Sequence, residues 1–430
     1  MDSNDQTAIL HAVDAVFDDE VAFLAELCAH PSTRGNEQSA QAFMADAMAA
    51  RGLGVDRWQV RVEDIAHLPG FSPVIGNYDE AVNVVGTRRS RSRSRTGKSL
   101  ILNGHVDVVP TGPLDMWDSP PWSPRIDDGW MYGRGAGDMK AGLASNLFAL
   151  DALARIGLAP AADVHLQSVV EEECTGNGAL ACLQRGYRAD AALIPEPFAE
   201  TLVTAQLGVI WFQVHLKGIP VHVAFAGSGA NAIEAALPLI AALHQMEARW
   251  NAPACRHAAY QGHDHALNLN IGKIAGGDWT SSVPAWCVFD VRMALFPGQN
   301  LGDARREIEE VLQEAAQNHD FLRNNAPEIV YHGFFAEGYA LADHKAAAPA
   351  IAALQSAHRT VAGTDLDRAA ITATTDARFF GLYADTPALV YGPRAEAIHG
   401  FNERVDLASV RRVTQTTALF IADWCGLEEL

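Results

Sequence analysis

The sequence predicts an α/β protein, a mostly parallel β-sheet with helices on both faces and a second α+β domain inserted into it. Short apolar segments alternate with helical segments in the first half of the chain, which is typical of parallel sheets. Near residue 208 this pattern changes to a βαββαβ order, and alternation resumes near the end. The chain has 430 residues, 49% of them hydrophobic and 20% charged, which is enough apolar material for two domains.

Hydrophobic periodicity predicts the elements of the first domain in order. Apolar residues at helical spacing indicate helices over residues 5–30 and 36–52, and Gly52 and Gly54 end the second one. The next predicted elements are strands over residues 82–85 and 99–103, a helix over 139–156, a strand over 164–170, a helix over 177–187 and a strand over 191–194.

The inserted domain has its own pattern of a split βαβ type. Its predicted elements are strands over residues 208–217, 266–274, 286–295 and 328–331 and helices over 231–249 and 301–316. A strand over 388–391 and a helix over 407–424 then complete the first domain. We therefore predict three segments: residues 1–208, the inserted domain at 209–334, and residues 335–430.

Charge and cysteine usage exclude several classes of partner. The 32 basic against 52 acidic residues give a net charge of −20, which argues against nucleic acid or an anionic membrane. Six cysteines without a CxxC pair indicate free thiols, and we find neither a secretory signal nor an 18-residue apolar stretch. We expect a cytoplasmic protein. The basic segment 88–98, RRSRSRSRTGK, is interpreted as a solvated hairpin loop rather than an RNA-binding tract.

Acidic residues and an imidazole follow the predicted strands at their carboxyl ends. They are His105 and Asp107 after residues 99–103, Asp138 after a glycine-rich turn, Glu171, Glu172 and Glu173 after residues 164–170, and Glu196 after 191–194. In a parallel sheet these strand ends converge on the crevice where ligands bind. An imidazole with several carboxylates suits zinc or manganese, and Asp107 can orient the His105 ring. The excess of carboxylates indicates two metals that share one carboxylate and a bridging hydroxide nucleophile, with a glutamate as general base.

Competing signatures are weaker. Gly133, Gly135 and Gly137 nearly match a dinucleotide fingerprint, but its last glycine would fall on Asp138. The chain contains no GxSxG and no HEXXH motif. The HDH sequence at 263–265 is interpreted as solvated loop residues.

The ordered motifs LILNGHVDVVP, GRGAGDMKAG, VVEEECTGNGA, IPEP and AIHGFNERVDL resemble the M20 metallopeptidase family. This is the group of acetylornithine deacetylase, succinyl-diaminopimelate desuccinylase, aminoacylase and glutamate carboxypeptidase, so the resemblance implies a zinc-exopeptidase-like fold. It also implies two Zn²⁺ per subunit, with Co²⁺ or Mn²⁺ as alternatives. One zinc would be held by His105, Asp138 and Glu196 and the other by Asp138, Glu173 and His399, with Glu172 as general base and Asp107 orienting His105.

The resemblance further implies that the inserted domain is a lid through which the protein forms a homodimer. His222 would reach the partner's active site and polarise the scissile carbonyl. Arg378, helped by Thr374, would hold a substrate carboxylate, and Arg292 is a second candidate that an ordinary ion pair explains equally well. Ser282 stands where many relatives have Asn, so it would alter the substrate pocket.

The sequence thus predicts a zinc-dependent amide hydrolase that deacylates an N-acyl amino acid or a related small N-acyl amine. The alternative within the same chemistry is an exopeptidase or dipeptidase. The alternative of another class is a metal-free, non-catalytic binding protein.

Overall fold

The computed structural model describes residues 3–91 and 97–430, so the centre of the basic segment, and the hairpin predicted there, lies outside the described residues. The helices are α1 Ser3–Ala29, α2 Gln38–Ala50, α3 Val62–Ile65, α4 Ala141–Arg155, α5 Asn177–Gln184, α6 Ala232–Trp250, α7 Leu301–Gln317, α8 Ala347–Ala362, α9 Ala377–Tyr383 and α10 Leu407–Cys425. The main strands are β1 Gly54–Gln59, β2 Val82–Arg88, β3 Leu100–His105, β4 Val164–Val169, β5 Ala191–Ile194, β6 Leu202–Gln206, β7 Gly208–Lys217, β8 Leu269–Gly276, β9 Trp286–Leu295, β10 Glu328–Ala336, β11 Tyr339–Ala340, β12 Arg368–Ile371 and β13 Ala388–Val390.

The larger sheet has nine strands in the order β1-β2-β4-β3-β5-β13-β6-β11, with β12 also paired to β6. Its central strands β4, β3, β5 and β13 run parallel, whereas its edges contain antiparallel pairs. Helices α1, α4, α8 and α10 pack against one another, and α3, α5 and α9 form a second group. Strands β3 and β4 are buried along their whole length, as expected for a sheet covered on both faces. The predicted α/β architecture is confirmed.

The smaller sheet has the order β8-β9-β7-β10, and all its neighbours are antiparallel. Side chains of β7 and β9 pack with α6 and α7 in a hydrophobic core separate from that of the larger sheet. Strand β10 continues to Ala336, beyond the predicted boundary at residue 334. The three segment boundaries stay a prediction.

The observed elements differ from the predicted ones in two respects, and the first affects the site. The helix predicted from residue 139 begins at Ala141, because residues 136–140 form an irregular turn that carries Asp138. Helix α8 and strands β1, β6 and β12 were not predicted. None of the described helices is both long enough and apolar enough to pass through a membrane.

Candidate metal centre

The carboxyl ends of the parallel strands place four polar groups at one edge of the larger sheet. His105 is the last residue of β3, Glu172 and Glu173 follow β4, and Glu196 follows β5. Asp138 joins them from the irregular turn before α4. These strands are adjacent and parallel, so residues distant in the sequence meet where the strands end.

His105 lies at the centre of the first group of side chains. Its Nε2 atom is 3.3 Å from Asp138 Oδ1, 3.7 Å from Glu196 Oε1 and 3.8 Å from Glu172 Oε2. Nε2 is buried and has no hydrogen-bond partner among the described residues. A buried ring nitrogen that faces three carboxylates without a bond to any of them is arranged to bind a cation.

Asp138 connects this group to a second one. Its Oδ2 atom is 3.4 Å from His399 Nε2, and His399 Nε2 is 3.1 Å from Glu173 Oε2. One carboxylate therefore stands between two imidazoles, each of which has a further carboxylate beside it. His399 itself has a positive φ of 62°, which turns its ring toward the cluster from a loop near the end of the chain.

The cluster brings several carboxylates close together away from solvent, so their negative charges repel one another. Burial raises the pKa of Glu172 and Glu196 well above its usual range, and neighbouring carboxylates add to the effect. Burial also opposes ionisation of Asp138, but the neighbouring imidazoles of His105 and His399 hold its pKa below the usual range. Burial acts to lower the pKa of His399, yet Asp138 and Glu173 raise it to about 11. Divalent cations between these groups would remove the repulsion, so the donor set fits the binding of metal ions.

The His105 ring is oriented by Asp107, although not by the group that the sequence predicts. Nδ1 of His105 lies 2.9 Å from the main-chain oxygen of Asp107 and 3.6 Å from its carboxylate. The Asp107 carboxylate instead accepts a hydrogen bond from the main-chain N–H of Glu173 at 3.1 Å. Asp107 thus ties the His105 strand end to the Glu173 loop, and its carbonyl fixes the ring.

Glu403 is a residue of this site that the sequence did not reveal. Its buried carboxylate accepts hydrogen bonds from the main-chain N–H groups of Gly135, Gly137 and Asp138, at 3.0 to 3.1 Å. It also pairs with Arg134 at 2.6 Å. The only sequence signal is an acid four residues after His399. Glu403 holds the glycine-rich turn in the form that presents Asp138 to both imidazoles.

The structure does not bring the predicted residues of the lid into this cluster. His222 is exposed, its Nδ1 accepts a hydrogen bond from the Ala224 N–H at 3.1 Å, and it forms an antiparallel bridge with Ser282. Both residues lie in the smaller-sheet region, beside an open cleft of about 530 Å³ lined by Trp279 and Pro284 among others. Within one chain, these two residues are not part of the site.

Arg378 does not lie where a substrate carboxylate could reach it. It is 1% exposed, and its guanidinium donates to the carbonyls of Thr375 and Thr175 at 2.9 and 3.1 Å and to Thr374 Oγ1 at 3.4 Å. The role of Arg378 and Thr374 as a carboxylate clamp stays a prediction, which this conformation does not support. The guanidinium instead connects the loop that contains Thr175 to the segment that contains Thr375, because a buried guanidinium needs hydrogen-bond acceptors.

Arg292 occupies the junction between the two sheets. Its guanidinium donates to the main-chain oxygens of Asn268 at 3.2 Å and Thr372 at 3.5 Å. Burial lowers the pKa of Arg292. The residue bridges the smaller-sheet region and the loop before α9, and it forms no ion pair with the described residues.

The chain matches the family model of peptidase family M20/M25/M40 over residues 101–423, and it belongs to that family. It is therefore a hydrolase of amide bonds. A deformylase of N-formyl-4-amino-5-aminomethyl-2-methylpyrimidine from Halalkalibacterium halodurans is 27% identical over 442 residues, which cover 98% of both proteins. A succinyl-diaminopimelate desuccinylase from Nitrosomonas eutropha is 26% identical, over 80% of this chain and 87% of its own.

Solved structures of the same fold include two dipeptidases. The di-peptidase Dug1p from Saccharomyces cerevisiae superposes with a TM-score of 0.76 and 16% identity, over 99% of each chain. Human carnosine dipeptidase 1 gives 0.75 and 17%, over 98% of this chain and 99% of its own. These likenesses concern the fold, which the chain shares over nearly its whole length.

Proposed function

We propose that this protein is a dinuclear, zinc-dependent deacylase of small N-acyl amines. The observation that carries the proposal is the carboxylate of Asp138, whose two oxygens face two different imidazoles. His105 and Glu196 would complete one zinc site and His399 and Glu173 the other. The two ions would supply Lewis-acid chemistry, which lowers the pKa of water and stabilises the developing oxyanion.

Glu172 is proposed as the general base. Its side chain is only 8% exposed and lies against the cluster, with Oε2 3.8 Å from His105 Nε2. Burial raises its pKa well above the usual range, although His105 acts against this, and a raised pKa suits a group that accepts and returns a proton near neutrality. Glu172 would take a proton from the attacking water and deliver it to the leaving amine.

The acyl group is proposed to be small, with formyl as the first choice. Support comes from the two deformylase relatives, at 27% identity, which cover 98% and 91% of this chain. The burial of Arg378 also favours a substrate that needs no carboxylate clamp at that position. The dipeptidase alternative has no comparable observation in its favour.

The lid at residues 209–334 is proposed to form a homodimer in which His222 completes the partner's site. Its outer strand β8 is an unpaired edge with exposed side chains, among them Ile274 at 52%. Phe225 and Trp279 nearby are 69% and 73% exposed, and apolar patches of this kind mark interaction surfaces. His222 would then stabilise the oxyanion from the neighbouring subunit.

The cytoplasm is the proposed location, supported by six free cysteines, five of them buried.

A substrate panel with metal analysis tests the proposed function. Purified protein is loaded with zinc or cobalt, its metal content is measured, and hydrolysis of N-formyl, N-acetyl and N-succinyl amines and of dipeptides is followed. We expect about two metals per chain and fastest turnover of an N-formyl amine. A chain that takes up no metal and hydrolyses none of the panel would contradict the proposal, and preference for dipeptides would replace the deacylase with a peptidase.

A further inference from the structure

The loop after β4 carries Glu172 and Glu173, and the residue before them is held in an unusual conformation. Glu171 has a φ of 69°, in the left-handed region that residues other than glycine rarely adopt. Its main-chain oxygen accepts hydrogen bonds from the N–H groups of Thr175 at 3.0 Å and Gly176 at 2.6 Å. Such a conformation persists only where the surroundings fix it. The side chain of Glu171 shows what those surroundings are.

Arg34 approaches Glu171 from the loop between α1 and α2. Its Nε atom is 2.6 Å from Glu171 Oε1, and the two side chains are 29% and 2% exposed. Arg34 also donates from Nη2 to the main-chain oxygen of Asn77 at 3.3 Å. The ion pair therefore anchors the Glu171 end of the loop to two segments that lie outside it.

The second carboxylate oxygen of Glu171 closes the loop on itself. Oε2 accepts a hydrogen bond from Thr175 Oγ1 at 3.0 Å. Thr175 Oγ1 lies 3.0 Å from the hydroxyl of Tyr78, which accepts a hydrogen bond from Asn177 Nδ2 at 2.8 Å. All these side chains except Arg34 are buried. Glu172 and Glu173 thus lie between a fixed start and a fixed end.

We propose that Arg34 and Glu171 are positioning residues for the general base and the Glu173 metal ligand, an inference that rests on the proposed function. Arg34 balances the negative charge of Glu171. Glu171 therefore repels Glu172 and Glu173 less than an unpaired carboxylate would. It also fixes the left-handed turn from which Glu172 and Glu173 point in different directions. Groups that orient catalytic and ligating side chains in this way commonly change activity or metal affinity by about 10-fold to 100-fold.

Arg34→Met and Glu171→Gln test the pair, with Arg51→Met as the matched control. Arg51 makes a similar half-buried ion pair with Asp151, at 2.7 Å, away from the metal cluster. We expect Arg34→Met and Glu171→Gln each to lower kcat by at least about 10-fold with KM within about 3-fold of the parent. The double variant is expected to lose no more than the worse single variant, because the two residues act as one unit. Arg51→Met should retain the parental kcat.

The visible spectrum of the cobalt-substituted protein gives a readout that does not need turnover. We expect the spectrum to change in Arg34→Met and Glu171→Gln, because Glu173 moves, and to stay parental in Arg51→Met. If Arg34→Met does not fold, Arg34→Lys keeps the charge but loses the planar guanidinium that pairs with Glu171, and an intermediate kcat is expected. A parental spectrum together with a kcat within 2-fold of the parent would overturn the pair's role. A parent that hydrolyses no substrate would instead contradict the proposed function, and the spectra would still decide the inference.

Discussion

The predicted site residues near the two sheets of this protein differ in their burial. At the edge of the larger sheet, His105 and Glu196 are almost completely buried and surrounded by other ionisable groups. In the smaller-sheet region, His222 and Ser282 are exposed beside large apolar side chains such as Trp279. Buried carboxylates require a compensating positive charge. Exposed apolar side chains such as Trp279 can be buried only against another surface. The metal cluster is assembled within one chain. His222 and Ser282 lie apart from the cluster of their own chain.

Carboxylates in the two regions show the same contrast. Burial raises the pKa of Glu172, and none of the N–H groups in residues 3–91 and 97–430 donates a hydrogen bond to its carboxylate. Glu247, on α6 beside the smaller sheet, is also partly buried, yet its pKa is lowered because the Leu269 N–H, His244 and His265 donate hydrogen bonds to it. A buried carboxylate that accepts several hydrogen bonds, such as Glu247, is typical of a structural role. One with a raised pKa, such as Glu172, is typical of an active site.

The largest expected effect is on turnover, and it tests the buried site directly. Glu172→Gln is expected to lower kcat by about 100-fold to 10,000-fold, since it removes the proton acceptor. Metal content should stay parental, because the proposed ligands are unchanged. Steady-state kinetics with metal analysis measures both. Glu310→Gln, on the exposed face of α7, serves as control and should behave as the parent. A Glu172→Gln protein with more than a tenth of parental activity would rule out this base.

The second prediction concerns the turn that presents Asp138. Glu403→Gln is expected to destabilise the protein by about 3–5 kcal/mol, because it leaves Arg134 as an uncompensated buried charge. Its amide also replaces an oxygen that accepts main-chain N–H groups. Thermal and urea unfolding measure the loss. Glu63→Gln, in an exposed pair with Arg61 at 3.9 Å, should change stability by less than about 0.5 kcal/mol.

The third prediction tests whether the exposed residues serve a partner. His222→Ala is expected to lower kcat by about 100-fold, the usual cost of one oxyanion donor. Mixing inactive His222→Ala with inactive Glu172→Gln should restore activity, because a mixed dimer contains one site with both an intact base and the partner's histidine. Subunit exchange followed by a rate assay measures this. Activity that stays at the level of the separate variants would mean that His222 does not act across the interface.

The smallest expected effect concerns a buried acid far from the metal cluster. Burial raises the pKa of Glu20 to about 8 from 4.5, with hydrogen bonds from Thr414 and Ser145 acting in the opposite direction. The folded protein therefore keeps a proton that the unfolded chain releases. The stability that Glu20 contributes is fully present below pH 4.5 and is lost as the pH rises to about 8.

Glu20→Gln should remove this dependence because the amide stays neutral. We expect the variant to lose about 3 kcal/mol less stability than the parent between pH 5 and pH 8. Urea unfolding at the two pH values measures the difference. Parallel curves for parent and variant would show that Glu20 ionises in the folded state as it does in the unfolded chain.

Much of the fold could be predicted because hydrophobic periodicity is strong in its elements. Strands β7 and β9 carry large apolar side chains at alternate positions, and both were predicted within their observed bounds. Helix α8 was missed because its buried face consists largely of alanines, which give a weak apolar pattern. Strand β1 was missed because its exposed edge contains Asp56 and Arg57.

Part of the candidate site could also be predicted from the sequence. His105 and Glu172 follow apolar strands directly, so their place at the sheet edge could be inferred from the chain alone. Glu403 could not, since its partners Gly135 and Gly137 are about 270 residues earlier and no local pattern connects them. Arg378 was assigned to substrate because a guanidinium suits a carboxylate, and only the packing around it shows that its donors are already used.

The sequence by itself determined the class of the protein, since an ordered series of acids and histidines at strand ends specifies which chemistry the chain can support. The tertiary structure alone decided how the acids differ. The side chains of Asp138, Glu171, Glu172 and Glu173 are nearly the same, but their surroundings differ. Asp138 lies between two imidazoles, Glu171 pairs with Arg34, Glu172 lies against His105 and Glu173 lies beside His399. Those partners come from distant parts of the chain, so only the folded structure shows which groups surround each acid.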